Sequence, residues 1–206
     1  MTQRNLRAMA GLLGAIAVLG ACDDSTSQKT GTLALRLTDA PFPYDSVQSV
    51  DMFVVRIDAK VADTDSAEAA DASGASLARG GWTTIAEPNQ SFDLLTLQNG
   101  VTADLGMAQL PVGSYRGFRL VLDTELSSVT LKDGTVLTGS SVPGVKFPSA
   151  AQTGIKINLT APARIDSDTT HMLIDFDVEQ SFVARGDSIS ANGLLFKPVI
   201  RATVQQ

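Results

Sequence analysis

The sequence predicts an all-β protein, an antiparallel β-sandwich with Greek-key connections, and three observations lead to this prediction. Apolar residues alternate with polar ones along several short segments, as in strands that bury one face. Turn signals built from Gly, Pro, Asn and Asp separate these segments. No regular alternation of strands with helices is visible over the 206 residues. The hydrophobic content of 44% is enough to bury a core, which excludes a disordered polyelectrolyte.

The first two strands show the clearest alternation. Leu33, Leu35 and Leu37 share one face of the first strand, and the segment from Phe53 to Val61 repeats the pattern. Pro198 cannot donate to a strand ladder, so it predicts an edge position or a bulge in the last strand. Further strands are predicted at Trp82–Ile85, Phe92–Leu97, Tyr115–Leu122, Val129–Leu131, Val136–Leu137, Ile155–Leu159, Met172–Val178 and Leu194–Ala202.

The segments between the strands carry their own signals. Asp133-Gly134 lies between two short alternating runs and predicts a tight hairpin, and Asn99-Gly100 predicts a second turn. The segment from Val101 to Leu110 is the one place where a short helix is expected. The segment from Ala62 to Gly81 is rich in Ala, Asp, Ser and Gly and predicts a flexible insertion between two strands.

The N-terminus predicts an exported, lipid-anchored protein. Arg4 and Arg7 precede an apolar run from Ala8 to Ala21 that is too short for a comfortable membrane span and has the length of an export signal. Leu19-Gly20-Ala21-Cys22 resembles the lipobox of bacterial lipoproteins, in which the cysteine thiol is acylated. We therefore expect a signal peptide at 1–21, a lipidated Cys22 with a polar tether at 22–30, and one sandwich domain at 31–206. Acyl chains on Cys22 would hold the protein in the bilayer of a bacterial cell envelope, facing the periplasm or the exterior.

Several function classes are not supported by the composition or the motifs. The net charge of −6 opposes binding to a nucleic-acid backbone, which needs clustered Lys and Arg. His171 is the only histidine, which excludes histidine-rich zinc sites, and we expect it in a solvated turn. Neither a phosphate-binding loop nor a dinucleotide fingerprint is present. We therefore predict no catalytic residue, no cofactor and no enzymatic activity.

Carboxylates are the one chemically suggestive group of residues. Asp175 and Asp177 are two apart in a predicted strand, which places both on one face. Asp39 ends the first strand, and Asp93 lies inside the predicted strand Phe92–Leu97. Together these four carboxylates could bind calcium, which prefers hard oxygen ligands. The favoured alternative is a solvated sheet face on which the acids pair with basic neighbours across the strands; the candidate partners are Arg119, Lys156 and Arg201.

Successive blocks of the sequence resemble one family. They begin with the segments from Gly31 to Pro41, Phe92 to Gly100 and Leu110 to Leu120. Gly154-Ile-Lys-Ile, the segment from Asp175 to Ser181 and that from Lys197 to Arg201 follow in order. These blocks are similar to a bacterial and archaeal family, found mostly in lipoproteins, that is catalogued as a domain of unknown function, the four-three-eight-two family. The resemblance implies no activity. The phrase from Leu110 to Tyr115 is also similar to turns in transthyretin-like and fimbrial sandwiches.

The sequence thus predicts a membrane-anchored module of the cell envelope with a non-catalytic binding or structural role and a protein or glycan partner. One alternative is a calcium-stabilised adhesion or fimbria-like subunit. A second is a carboxylate-dependent glycan hydrolase, which would need paired acids in a cleft beside aromatic residues. Trp82 is the only tryptophan and could provide a platform for a sugar, but we expect it in the core.

Overall fold

A computed structural model describes residues 29–40, 45–62, 81–148, 151 and 153–205. The predicted leader, Cys22 and nearly all of the predicted insertion at 62–81 lie outside these residues. Within them, no helix is both long and apolar enough to cross a membrane.

Strands and short helical turns make up the elements of the described residues. Three of the helical turns are a 3-10 helix at Leu94–Leu97 and α-helical turns at Val178–Ser181 and Ile189–Asn192. The strands are β1 (Thr30–Asp39), β2 (Val47–Val61), β3 (Thr83–Ala86), β4 (Gln90–Asp93), β5 (Ala103–Pro111), β6 (Gly113–Leu131), β7 (Val136–Thr138), β8 (Val145–Lys146), β9 (Ile155–Ile165), β10 (Thr169–Phe176), β11 (Phe182–Ala184), β12 (Leu194–Phe196) and β13 (Ile200–Gln205).

These strands form three sheets. Sheet A has the order β13-β10-β1-β5, and the small sheet C has the order β11-β12-β8. Sheet B is built on the two long strands β2 and β6, which pair with each other along most of their length. β3 and β4 pair with successive parts of β2, and β9 and β7 pair with successive parts of β6.

The core lies between sheets A and B. Leu33, Leu35 and Leu37 of β1 are buried, as are Ile57 of β2 and Phe118 of β6, and all belong to one continuous apolar cluster. Burying apolar surface of this extent is the main favourable term in folding. The prediction of an all-β sandwich is confirmed.

Sheets A and C are mixed rather than purely antiparallel. Among the described strands, β1 pairs with β10 in parallel and β12 pairs with β8 in parallel, while the other pairs are antiparallel. The sequence does not reveal these pairs because the alternation of a strand shows which face is buried but not the direction of its neighbour.

The prediction of a short helix between Val101 and Leu110 is wrong, since most of this segment forms the strand β5. Leu105 and Ala108 are both buried although they are three residues apart. A bulge opposite Leu35 and Arg36 of β1 shifts the register at this point, so an extra residue separates the inward-facing side chains. The bulge thus gives a strand the apolar spacing of a helix.

The two predicted turns are confirmed. The Asp133-Gly134 hairpin joins β6 to β7, with Gly134 at a φ of 88° and the Asp133 carboxylate accepting a hydrogen bond from the Thr135 N–H. Asn99 and Gly100 have φ of 58° and 85°, which is the left-handed backbone of a tight turn. The last predicted strand is interrupted at Pro198, where the chain leaves β12 and continues as β13, the edge of sheet A.

Candidate functional site

Asp39 lies at the inner side of the end of β1. It continues the inward alternation of Leu33, Leu35 and Leu37 and is only 5% exposed. One carboxylate oxygen accepts a hydrogen bond from the Val178 N–H at 3.0 Å, and the other, Oδ2, is buried with no hydrogen-bond partner. Burial raises the pKa of Asp39 to about 7, although the Val178 and Ala40 N–H groups act in the opposite direction.

Asp175 and Asp177 take different positions beside Asp39. The parallel pairing of β1 with β10 brings the ends of both strands together, with Asp39 opposite Phe176. Asp175 lies in β10 opposite Arg201 of β13; burial raises its pKa, and the positive charge of Arg201 opposes that rise. Asp177 is not in the strand as predicted. Its carboxylate caps the Val178–Ser181 helix by accepting a hydrogen bond from the Gln180 N–H, because the chain turns into this helix after Phe176.

Asp93 lies elsewhere in the sandwich, on sheet B. It is the last residue of β4 and caps the 3-10 helix, so the expected strand Phe92–Leu97 ends at Asp93 rather than continuing through it. Its carboxylate accepts hydrogen bonds from the N–H groups of Leu95 and Val50. In the part of the chain that the structure describes, no three His, Cys, Asp or Glu residues are arranged to hold a metal ion.

We expect calcium to leave the stability of the protein unchanged, because Asp177 and one oxygen of Asp39 already accept hydrogen bonds from backbone N–H groups. The measurement is thermal unfolding with calcium and with a chelator. A bound ion at a hundredfold excess over its Kd would add about 2.7 kcal/mol. A calcium-dependent rise that is lost in the Asp175→Asn/Asp177→Asn double variant would show that a metal site forms there.

A second group of polar residues lies on the outer face of sheet B. Asp58 of β2 is 1% exposed, although it points away from the core. Its Oδ2 accepts hydrogen bonds from Nε and Nη2 of Arg119, at 2.8 Å and 2.5 Å. Its Oδ1 accepts from Thr84 Oγ1 at 2.8 Å and from Arg56 Nε at 3.3 Å. Four donor atoms thus satisfy this buried carboxylate, which would otherwise be costly to remove from water.

Arg119 is fixed by its surroundings as well as by Asp58. Its side chain passes over Gly154, whose φ is 105° and where a Cβ would overlap Cγ and Cδ of the arginine. The guanidinium carbon lies 5.0 Å from the centre of the Trp82 ring, and Nζ of Lys60 lies 6.0 Å from it. Both distances are typical of cation–π contacts. The expectation that Trp82 packs in the core is wrong; the ring is held on the outer face by these two cations.

The same part of sheet B carries excess positive charge. We define the cationic face as Arg56, Lys60, Arg119 and Lys156, with Trp82 beside them. Lys156 of β9 stands directly opposite Arg119 in the strand register. Like charges in directly opposed positions are unfavourable, and the carboxylate of Asp58 is already shared by two arginines.

The four predicted carboxylates and the cationic face are thus separate features. Of the basic partners proposed for the acids, Arg201 is opposite Asp175, whereas Arg119 and Lys156 belong to sheet B. The sequence gives no local signal for the cationic face, because Asp58 occupies a polar position in the alternation of β2, as do Arg56 and Lys60. His171 is exposed, as expected, but lies within β10 rather than in a turn.

A β-sandwich with a cationic, aromatic-flanked outer face is the class of protein that these observations define. The chain belongs to the family described as Domain of unknown function (DUF4382), whose model matches residues 30–198. The resemblance seen in the sequence is thereby confirmed. No curated protein and no solved structure matches the chain.

Proposed function

We propose that this protein is a lipid-anchored, non-catalytic binding module of the bacterial cell envelope. The observation that carries the proposal is the cationic face, on which Arg119 is immobilised between Asp58, Gly154 and Trp82. A side chain that is already ordered loses little conformational entropy when it binds a ligand. The arrangement therefore favours recognition of a partner.

The proposed location follows from the N-terminal sequence. The apolar run from Ala8 to Ala21 ends at Cys22, and the small, polar segment after it reads as a tether to the first strand. Two or three acyl chains at Cys22 would anchor the sandwich stably, since each buried CH₂ contributes about 0.8 kcal/mol. The domain would then lie within a short distance of the membrane that holds it.

Cys22→Ser is expected to abolish incorporation of labelled palmitate and processing by the lipoprotein signal peptidase, because both need the thiol. The measurement is acyl labelling and mobility on gels of the full chain produced in bacteria. Ser27→Ala, a change in the same tether, is the control and should be labelled like the natural protein. Labelling that persists in Cys22→Ser, or a natural chain that is never labelled, would contradict the proposed anchor.

A further inference from the structure

The cationic face lies on one half of sheet B, which we call the β3 half. It consists of β3, residues 56–61 of β2, residues 115–121 of β6 and residues 155–158 of β9. The cationic face gives the described residues of this half four basic side chains against one acidic side chain, in a chain whose net charge is −6. The acidic one, Asp58, is buried beneath Arg119 and presents almost no charge to solvent. This half therefore attracts anions although the protein as a whole is acidic.

Two of its cations are available to a ligand. Lys156 is exposed, and within the described residues neither Lys156 nor Lys60 forms an ion pair. Among the described residues Arg119 hydrogen-bonds only to Asp58, through Nε and Nη2, so there its other guanidinium nitrogen, Nη1, is available to donate further hydrogen bonds. The repulsion between Lys156 and Arg119 would be relieved by a carboxylate placed between them.

The shape of the site indicates an extended ligand. Two cavities of the described residues lie elsewhere, one between Lys132 and Ser188 and the other between Arg164 and Thr170, and neither includes a residue of the cationic face. Small molecules generally bind in concave sites, whereas this face is the outer surface of a sheet. A polymer that lies across several strands would contact cations on β2, β6 and β9 together.

The side chains around the cations favour a polysaccharide over a membrane surface. The exposed large apolar residues of the described chain are Val101, Met107, Leu126, Val136, Val142, Val183 and Val204, and all lie outside the β3 half. Apart from Trp82, which is only partly exposed, the described residues of the face thus offer no large apolar side chain that would insert among lipids. Trp82 instead places an aromatic ring beside the fixed guanidinium, where the C–H face of a sugar could pack while its carboxylate meets Arg119.

We propose that the cationic face binds the carboxylate groups of an acidic polysaccharide of the cell surface. The immobilised guanidinium of Arg119 donates hydrogen bonds to a carboxylate of the polymer. Lys60 and Lys156 provide positive charge on either side, and Trp82 contacts the sugar rings. This inference rests on the proposed function, because it names the class of partner that the envelope module recognises.

The test uses the lipidated full chain in nonionic detergent and follows the emission of Trp82, the only tryptophan, during titration with polygalacturonate. We expect a saturable change in emission that is weakened by salt. The fully methyl-esterified polymer, which has the same backbone without the charge, should bind at least about tenfold more weakly.

Matched lysine variants test the assignment. Lys60→Gln/Lys156→Gln should weaken binding to polygalacturonate by about tenfold, as expected when two charged surface contacts are lost. Lys132→Gln/Lys146→Gln makes the same change in net charge at exposed lysines outside the face and should bind like the natural chain. Both double variants should fold, since none of these side chains contacts Asp58.

A second measurement, co-sedimentation of the chain with delipidated cell-wall material, separates this inference from the proposed function. Equal binding of the methyl ester, or equal loss in the two double variants, overturns the acidic polysaccharide even if the wall material is bound. Failure to bind both the wall material and polygalacturonate overturns the envelope-binding function as well. A Trp82 response to phosphatidylglycerol vesicles, compared with phosphatidylcholine vesicles, in the absence of a response to polygalacturonate would assign the face to lipid and overturn the inference.

Discussion

Replacing Arg119 by alanine is expected to lower the free energy of unfolding by about 2–4 kcal/mol, because it leaves the carboxylate of Asp58 buried with weaker partners. Asp58 is 1% exposed, and Arg119 provides two of its four hydrogen bonds. Arg56 remains, but its Nε is 3.3 Å away and its side chain is 36% exposed, so it compensates only in part. The measurement is urea unfolding of the full chain at neutral pH.

Arg164→Ala is the matched control, since Arg164 also forms an ion pair with an aspartate. That pair, with Asp166, has side chains that are 71% and 59% exposed. Exposed pairs usually contribute less than about 1 kcal/mol, so this variant should unfold almost like the natural chain. An equally small loss in Arg119→Ala would show that water reaches Asp58 and that Arg119 is not immobilised.

Gly154→Ala tests the same packing from the other side. At a φ of 105° an alanine is strained, and its Cβ would also overlap the side chain of Arg119. In the Arg119→Ala background the overlap disappears and only the backbone strain remains. The two substitutions should therefore be non-additive in a double-mutant cycle, whereas additive losses would contradict the contact.

The strands could be predicted because their alternation reports a local property, the burial of one face. Leu33, Leu35 and Leu37 show it without any knowledge of the neighbouring strand. The strand β5 was not predicted because a bulge breaks the alternation of its side chains. The parallel pairing of β1 with β10 was not predicted because it joins segments that are far apart in the chain. Register and strand direction depend on partners that a single segment does not reveal.

The same distinction applies to the candidate sites. Asp39 and Asp175 could be selected as carboxylates at strand positions, but only the parallel register shows that they lie at neighbouring strand ends. The cationic face combines Asp58, Trp82, Arg119 and Gly154, which four different parts of the chain supply. Their convergence is a consequence of how β3, β2, β6 and β9 align, so no local sequence pattern predicts it.

The protein is also expected to lose stability as the pH rises from about 4 to 8, because Asp39 holds a proton in the folded state. Burial raises its pKa from 3.8 to about 7, and the charges of Asp175 and Asp177 add to the rise. The unfolded chain releases this proton near pH 4, whereas the folded chain keeps it until about pH 7. The stabilisation is therefore fully present below pH 4 and is lost as the pH rises through 7, with a magnitude on the order of 2–4 kcal/mol.

Asp39→Asn is expected to remove this loss, because an asparagine keeps an acceptor for the Val178 N–H without an ionisable group. The measurement is the free energy of unfolding in urea at several pH values between 4 and 8, compared with the natural chain. Asp133→Asn is the control, since Asp133 is exposed and the Thr135 N–H lowers its pKa. The contribution of Asp133 to the pH dependence of stability therefore lies at lower pH, and this variant should keep the slope of the natural chain between pH 4 and 8. If the free energy of unfolding of Asp39→Asn fell with pH as steeply as that of the natural chain, the proton would reside on another group. Asp175, whose pKa is also raised by burial, would then be the next residue to substitute.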